Sequence, residues 1–363
     1  MNLKDSLFTI SGKIGGIQYT PFLYTPFLGS PPKLTFTMEE LESALSNGIF
    51  TIGASELQEF HVSRWVSPKR TRSYPFARVY DTLGSALRKV TIIPIVKDEG
   101  AEGDRDFLQW DTVSWMSLLN VYVIIGYYVS ASKSRKYQNK ITNQQFDACH
   151  LKKQFSDLRN FHSPAVHWNE VQLEQLGSLG RIALDQYEQI STRLNVSMHS
   201  YESGIRRIEG TIKSALDLQE VSRKLARRAQ RSESTTIHAA EDASWTKGKL
   251  NIQNHLGGMY HLTADQIRVD GSTLELIEVK HSRKSLPSMN DIKDALVKLI
   301  LFTNLEDVSI EERKYSVRPK LKLTTNVALD KDIISKGQQT LLDTLVNKEA
   351  VQNNFSVEIC HLP

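Results

Sequence analysis

At 363 residues and 41.2 kDa the chain exceeds what one core comfortably fills, so two or three domains are expected. Hydrophobic residues at 40% and charged residues at 24% are those of an ordinary soluble globular protein, and a net charge of +4 with a pI of about 8.8 is only mildly basic. Two distant cysteines, Cys149 and Cys360, exclude a disulfide framework or zinc cluster; the apolar run Val121 to Val129 is too short to span a membrane, and Met1 to Ser6 lacks the apolar stretch of a signal peptide, so a cytoplasmic location is expected.

From the N-terminus, Tyr19 to Phe27 is rich in proline and aromatics and reads as extended chain or an edge strand, because proline cannot donate to a ladder. Met38 to Ser46 predicts a short helix with Thr37 as its cap. Lys89 to Val96 is a β-branched run, Phe107 to Leu119 has helical apolar spacing, and Val121 to Tyr128 is a second apolar run; that order predicts a β-α-β unit. From Asn143 to Arg231 the pattern is helical, with Leu173, Leu176, Leu179, Ile182 and Ala183 on one face. Ser232 to Thr236 is a polar break and the expected boundary of the last domain. Beyond it, Ala239 to His255 reads as a helix and Gly257-Gly258 as a turn. Met259 to Leu262, Gln266 to Val269 and Leu274 to Val279 read as strands. Met289 to Phe302 is then a predicted helix, Leu321 to Val327 a strand, Ile333 to Val346 a helix and Phe355 to Cys360 a last strand. The expected organisation is an α/β domain over 1–140, a helical segment over 141–234 and an α/β domain over 235–363.

Charge is unevenly spread. Between Arg206 and Arg231 eight basic residues accompany three acids, Glu209, Asp217 and Glu220, so that segment carries +5 and the rest of the chain sums to −1. A polyanionic partner and a solvated helix face both give this pattern.

The most informative stretch runs from Thr263 to Lys280. Asp265 begins a strand, Asp270-Gly271 makes a turn, and a second strand ends in Glu278-Val279-Lys280. Alternation puts Glu278 and Lys280 on one face, with Val279 on the other. A hairpin would bring Asp265 opposite them, so two carboxylates and one amine converge. Such a set suits phosphodiester hydrolysis. Asp265 and Glu278 offer hard oxygen ligands for Mg²⁺, the Val279 carbonyl adds a third, and Lys280 orients a water or stabilises developing negative charge.

These residues resemble the PD-(D/E)xK nuclease superfamily, which includes most type II restriction endonucleases. The resemblance covers roughly residues 239 to 330, about a quarter of the chain. It places the catalytic acid on Asp265 and the (D/E)xK on Glu278-Val279-Lys280, with Ala264 where the pattern has proline. It implies a restriction-endonuclease-like mixed sheet flanked by helices in α-β-β-β-α-β order, with Glu241 and Asp242 as candidates for the first-helix acid. It also implies Mg²⁺ as cofactor (Mn²⁺ substituting), double-stranded DNA as substrate, a homodimer and a cognate methyltransferase encoded nearby. The N-terminal domain would then read DNA or mediate dimerisation.

Residues expected on DNA are His281, Ser282, Arg283 and Lys284 after the motif, Lys69, Arg70 and Arg72 in a basic loop flanked by Trp65, Tyr74 and Phe76, and Arg223 and Arg227 in the basic segment. Lys293 and Lys298 on the following helix are supporting candidates or ordinary surface lysines. Asp104, Asp106 and Asp111 form an acidic patch that suits a second metal site, a base-reading loop or a helix cap. No GxxxxGK or GxSxG occurs, which excludes a P-loop motor and an esterase-type nucleophile. A sequence-specific restriction enzyme is the leading expectation. A repair, transposon-end or defence nuclease with structural specificity, and a non-catalytic DNA-binding protein on the same fold, are the alternatives.

Overall fold

The structure, a computed structural model, describes residues 8–23, 34–54, 57–211, 227, 230, 246–254, 259–283, 286–326 and 334–361. The chain is mixed α/β and divides into two compact units, Met1–Pro31 with Arg223–Pro363, and Pro32–Ser222. This differs from the expected three-part division. The first strand, β1 (Phe8–Ile14), pairs in parallel with Thr246–Asn254, so the N-terminus joins the C-terminal sheet, while the central helices stay with the first α/β layer. The break expected at Ser232 to Thr236 lies outside the described residues.

The unit over 32–222 begins with β2 (Thr35–Phe36), α1 (Leu41–Ala44), β3 (Ile49–Ala54) and β4 (Leu57–Arg64). Thr37 does not cap α1; its N–H and hydroxyl both donate to the Glu40 carboxylate instead. Next come α2 (Pro75–Leu83), β5 (Arg88–Pro94), a hairpin of β6 (Val96–Asp98) and β7 (Arg105–Phe107), α3 (Trp110–Leu118) and β8 (Tyr122–Gly126). Strands β4, β5 and β8 run parallel, so the expected β-α-β unit is present, in a five-stranded sheet of order β2-β3-β4-β5-β8. The hairpin β9 (Tyr128–Lys133) and β10 (Ile141–Phe146) leads to helices α4 (Ala148–Arg159), α5 (Ala165–Glu174), α6 (Leu176–Leu194) and α7 (Tyr201–Thr211). Helix α5 covers the open edge of β8. Trp168 Nε1 donates to the Val123 carbonyl at 2.7 Å, and the Val123 and Ile125 N–H groups donate to Asn169 Oδ1 and Gln172 Oε1. Side-chain amides thus complete a ladder that would otherwise end unpaired.

The other unit is built on an eight-stranded mixed sheet. After β1 come β11 (Thr246–Asn254), β12 (Met259–Asp270), β13 (Thr273–Ser282), helix α8 (Met289–Thr303), β14 (Glu306–Ile310), β15 (Arg313–Lys314), β16 (Ser316–Thr325), helix α9 (Lys336–Thr344) and β17 (Ser356–His361). Their order across the sheet is β15-β14-β1-β11-β12-β13-β16-β17. Residues 246–254, expected as part of a helix, form a strand because Leu250, Ile252 and Asn254 are buried in alternation with more exposed Lys249, Asn251 and Gln253. Strands β11, β12 and β13 are successively antiparallel; β13, β16 and β17 are parallel and joined through α8 and α9. Leu274 to Glu278 of β13 are continuously buried, as expected of a strand covered on both faces. Helix α8 starts at a capping box, in which Ser288 and Asp291 each bond the other's backbone.

The stretch expected as extended chain near Tyr19 is irregular but pinned; residues 24–27 of that expectation lie outside the described residues. Glu349, fully buried in a π-helical turn (Leu345–Ala350), accepts from Tyr19 Oη at 2.7 Å, Phe22 N at 2.5 Å and Leu23 N at 3.2 Å. One carboxylate therefore holds the segment after β1 against the end of the chain. Replacing it strands three donors. Glu349→Ala should cost about 3 kcal/mol or more, read as a lower urea midpoint together with lost hydrogen-exchange protection at Phe22 and Leu23; unchanged protection there would contradict the pin.

Candidate functional site

The pairing of β11 with β12 shifts by one residue between Thr246–Ile267 and Gly248–Ala264. Two residues of β12, Asp265 and Gln266, therefore oppose the single Lys247, which is a β-bulge. Bulges re-aim side chains and gather beside functional sites. The two strands expected on either side of Asp265 are thus one strand with a bulge at that acid. On its other side β12 pairs with β13 up to Gln266–Ile277, and the next step of the register sets Asp265 against Glu278. There the side chain takes over from the main chain, as Val279 N–H donates to Asp265 Oδ2 at 2.8 Å.

Glu278 and Lys280 share a face of β13 at the carboxyl end of the parallel strands, the end at which open α/β sheets bind ligands. Their partners come from α8, where Asp294 and Lys298 lie four residues apart on one helix face. Lys280 Nζ is 3.3 Å from Glu278 Oε1 and 3.3 Å from Asp294 Oδ2, and Lys298 Nζ is 2.6 Å from Glu278 Oε2. That last contact is the shortest of the three. Three carboxylates, Asp265, Glu278 and Asp294, thus face two ammonium groups.

Glu278 is only 5% exposed. Burial pushes its carboxyl up to about 7, the Asp265 charge adds to the rise, and Lys298 and Lys280 pull it back only in part. Burial also weighs against the Lys280 ammonium, but Glu278 and Asp294 outweigh it and hold its pKa above the usual lysine value. Lys280 is thus a fixed cation at neutral pH, unsuited to act as a base. Among the described residues no three His, Cys, Asp or Glu cluster as metal ligands. The donors here are two carboxylates and the main chain of Val279, a set that suits a hard cation retaining most of its water. A bound cation would offset both the burial of the Glu278 charge and its repulsion by Asp265, so the residues present fit Mg²⁺.

The other expected site residues that are described occur in both units, His281 to Arg283 directly after this cluster in sequence. In the same unit His281 and Arg283 are exposed just beyond it, with His281 Nδ1 3.0 Å from Thr324 Oγ1, and Ser282 ends the strand half-buried. Arg227 is exposed and its Nε donates to His261 Nε2 at 3.3 Å. Arg223, Lys284, Glu241 and Asp242 lie outside the described residues. In the unit over 32–222, Lys69 is exposed, but Arg70 pairs with Asp111 at 3.1 Å, and Arg72 pairs with Glu99 at 2.8 Å, Asp106 at 3.1 Å and Asp104. The basic loop and the acidic patch therefore neutralise each other, and Asp111 serves Arg70 while Gln109 holds the cap position of α3. Asp294 escaped sequence reasoning altogether, whereas Lys298 was expected as either a supporting residue or an ordinary surface lysine. The Asp-x-x-x-Lys pattern on α8 was the available signal.

Comparison with protein-family models, with curated proteins and with solved structures returns no match to this chain. Among the described residues no helix is long and apolar enough to cross a membrane.

The electrostatics of Glu278 set a pH signature. Because its folded pKa lies above the ordinary value of 4.5, the native state holds the extra proton, and that stability is complete below pH 4.5 and lost as pH rises through about 7. Relative to Glu278→Gln, the wild-type protein should therefore lose about 3 kcal/mol in urea unfolding between pH 4.5 and about 8 without divalent metal. Superimposable profiles for the two proteins would contradict a protonated Glu278.

Proposed function

We propose that this protein is a Mg²⁺-dependent endonuclease of the PD-(D/E)xK kind that hydrolyses phosphodiester bonds in double-stranded DNA, with a sequence-specific restriction enzyme as the leading form. The observation that carries the reading is the convergence of Asp265, Glu278 and Lys280 on a buried, carboxylate-rich point at the end of a central strand. Three antiparallel strands, a helix and a parallel strand, β11 to β13, α8 and β16, follow the β-β-β-α-β part of that superfamily's order with β14 and β15 inserted before β16; residues 239–245 of the expected first helix lie outside the described residues.

Asp265, Glu278 and the Val279 carbonyl would hold the metal. Bound there, Mg²⁺ supplies an acidified water and offsets charge on the phosphate. The chain's own residues do the rest. The Val279 N–H fixes the Asp265 carboxylate, and Lys298 and Lys280 steady Glu278 once it has lost its proton. Lys280, kept cationic by Glu278 and Asp294, stabilises negative charge developing on a phosphate oxygen. Exposed His281 and Arg283 extend from the same strand end and suit contacts to neighbouring phosphates, which position DNA without reading sequence. Cutting both strands calls for two such centres, hence a homodimer.

Plasmid and phage DNA incubated with the purified protein should give discrete fragments that require Mg²⁺ or Mn²⁺. Asp265→Ala and Lys280→Ala should each reduce cleavage by about 100-fold or more while DNA binding in a mobility-shift assay persists. Random nicking would shift the reading to a structure-specific nuclease. Binding without any metal-stimulated cleavage by the wild-type protein would refute the enzyme.

A further inference from the structure

The unit over 32–222 contains a cavity of about 460 Å³, within the range of small-molecule sites. Its lining includes Arg64, Lys97, Lys140 and Glu99, three cations against one carboxylate. Glu99 is fully committed. Lys97 lies 2.9 Å from it, Lys140 3.1 Å and Arg72 2.8 Å. Burial works against this carboxylate, yet hydrogen bonds from the two lysines and the charges of Lys97 and Arg72 hold it down at about 2.

Arg64 is different. Its Nε donates to the Asn47 carbonyl at 3.1 Å, and no carboxylate lies within 4.0 Å of its guanidinium among the described residues. Arg78 sits beside it, donating to the Arg64 carbonyl at 2.7 Å, and likewise has no carboxylate partner there. Burial depresses the pKa of both guanidinium groups, and the Arg64 charge further lowers that of Arg78. Holding two half-buried arginines together without a counter-charge is unfavourable unless something anionic completes the site. The cavity wall shows a second irregularity. In β10 the register to β9 slips at Thr142 to Gln145, and Asn143, which lines the cavity, has φ +50. Asparagine tolerates this left-handed conformation, and such strain concentrates where a backbone is shaped for a ligand. Tyr128 adds an aromatic wall whose hydroxyl is already spent on the Val66 carbonyl.

We propose that this cavity binds an organic phosphate monoester of about mononucleotide size, with the phosphate on Arg64 and the lysine pair. The lining carries two unbalanced positive charges. That matches a dianionic phosphate ester better than a monocarboxylate, and a guanidinium fork suits phosphate oxygens. The volume exceeds what inorganic phosphate fills and leaves room for the ester's organic part beside Tyr128 and Asn143. The proposal is independent of the nuclease reading.

The test is calorimetric titration of the full chain with nucleoside 5′-monophosphates and ribose 5-phosphate, beside the matching nucleosides and inorganic phosphate. At least one ester should bind, its dephosphorylated counterpart should not, and Arg64→Gln should weaken binding by about tenfold to a hundredfold. Because Arg64 is half-buried, Lys140→Gln on the cavity wall serves as a second variant, with an unchanged melting temperature as the check on folding and roughly tenfold weaker binding expected. No binding by any ester at millimolar concentration would overturn the proposal. So would inorganic phosphate binding as tightly as the esters, or ester binding that neither variant weakens.

Discussion

Two carboxylates set side by side in a poorly solvated place need a proton or a cation, and the unit that holds Asp265 and Glu278 is organised around that requirement. Neither acid is there by accident of the surface. Glu278 belongs to the one continuously buried stretch of β13, and Asp265 is swung toward it by a bulge and fixed by the Val279 N–H. The sheet holds the two acids in place; burial lifts Glu278 into the neutral range, and the Asp265 charge adds to the rise. Helix α8 moderates this through Lys298 and tethers Lys280 through Asp294.

Elsewhere in the chain the same elementary rule settles charges differently. Arg70 and Arg72 meet Asp111, Asp106, Asp104 and Glu99, so a loop that looked ready for phosphates and a patch that looked ready for metal satisfy each other. Arg64 and Arg78 are the contrasting case in that unit, with burial but, among the described residues, no carboxylate partner. In both units, the informative charged residues are those the surrounding structure leaves unbalanced.

Much of the candidate site was legible in the sequence. The Asp-turn-Glu-x-Lys text, the Asp270-Gly271 turn and the helix after it appear where spacing and alternation put them, because all are local patterns. The β-α-β unit was legible for the same reason, as two apolar runs bracket a helical period. Strand β1 was not, since its partners β11 and β14 lie more than two hundred residues away and no local signal encodes them. Residues 246–254 were misread as helix because Lys, Leu, Asn and Gln suit a helix as readily as a strand. The alternation of Leu250, Ile252 and Asn254, together with Gly248 packed against Ile267 and Ile10, decides otherwise. The bulge hid in plain text as a break at a charged residue. Asp294 carries no sequence signal of its own apart from its spacing to Lys298; the fold sets it beside Lys280.

If Asp265 and Glu278 form a site completed by a divalent cation, metal binding displaces the proton on Glu278. Mg²⁺ titrations followed calorimetrically at pH 7, in two buffers of different ionisation enthalpy, report the protons displaced per metal. With the Glu278 carboxyl at about 7, binding should release about half a proton in the wild-type protein and none from this position in Glu278→Gln, with affinity much reduced in Asp265→Asn. Absence of Mg²⁺ binding, or proton release unchanged by Glu278→Gln, would contradict the account.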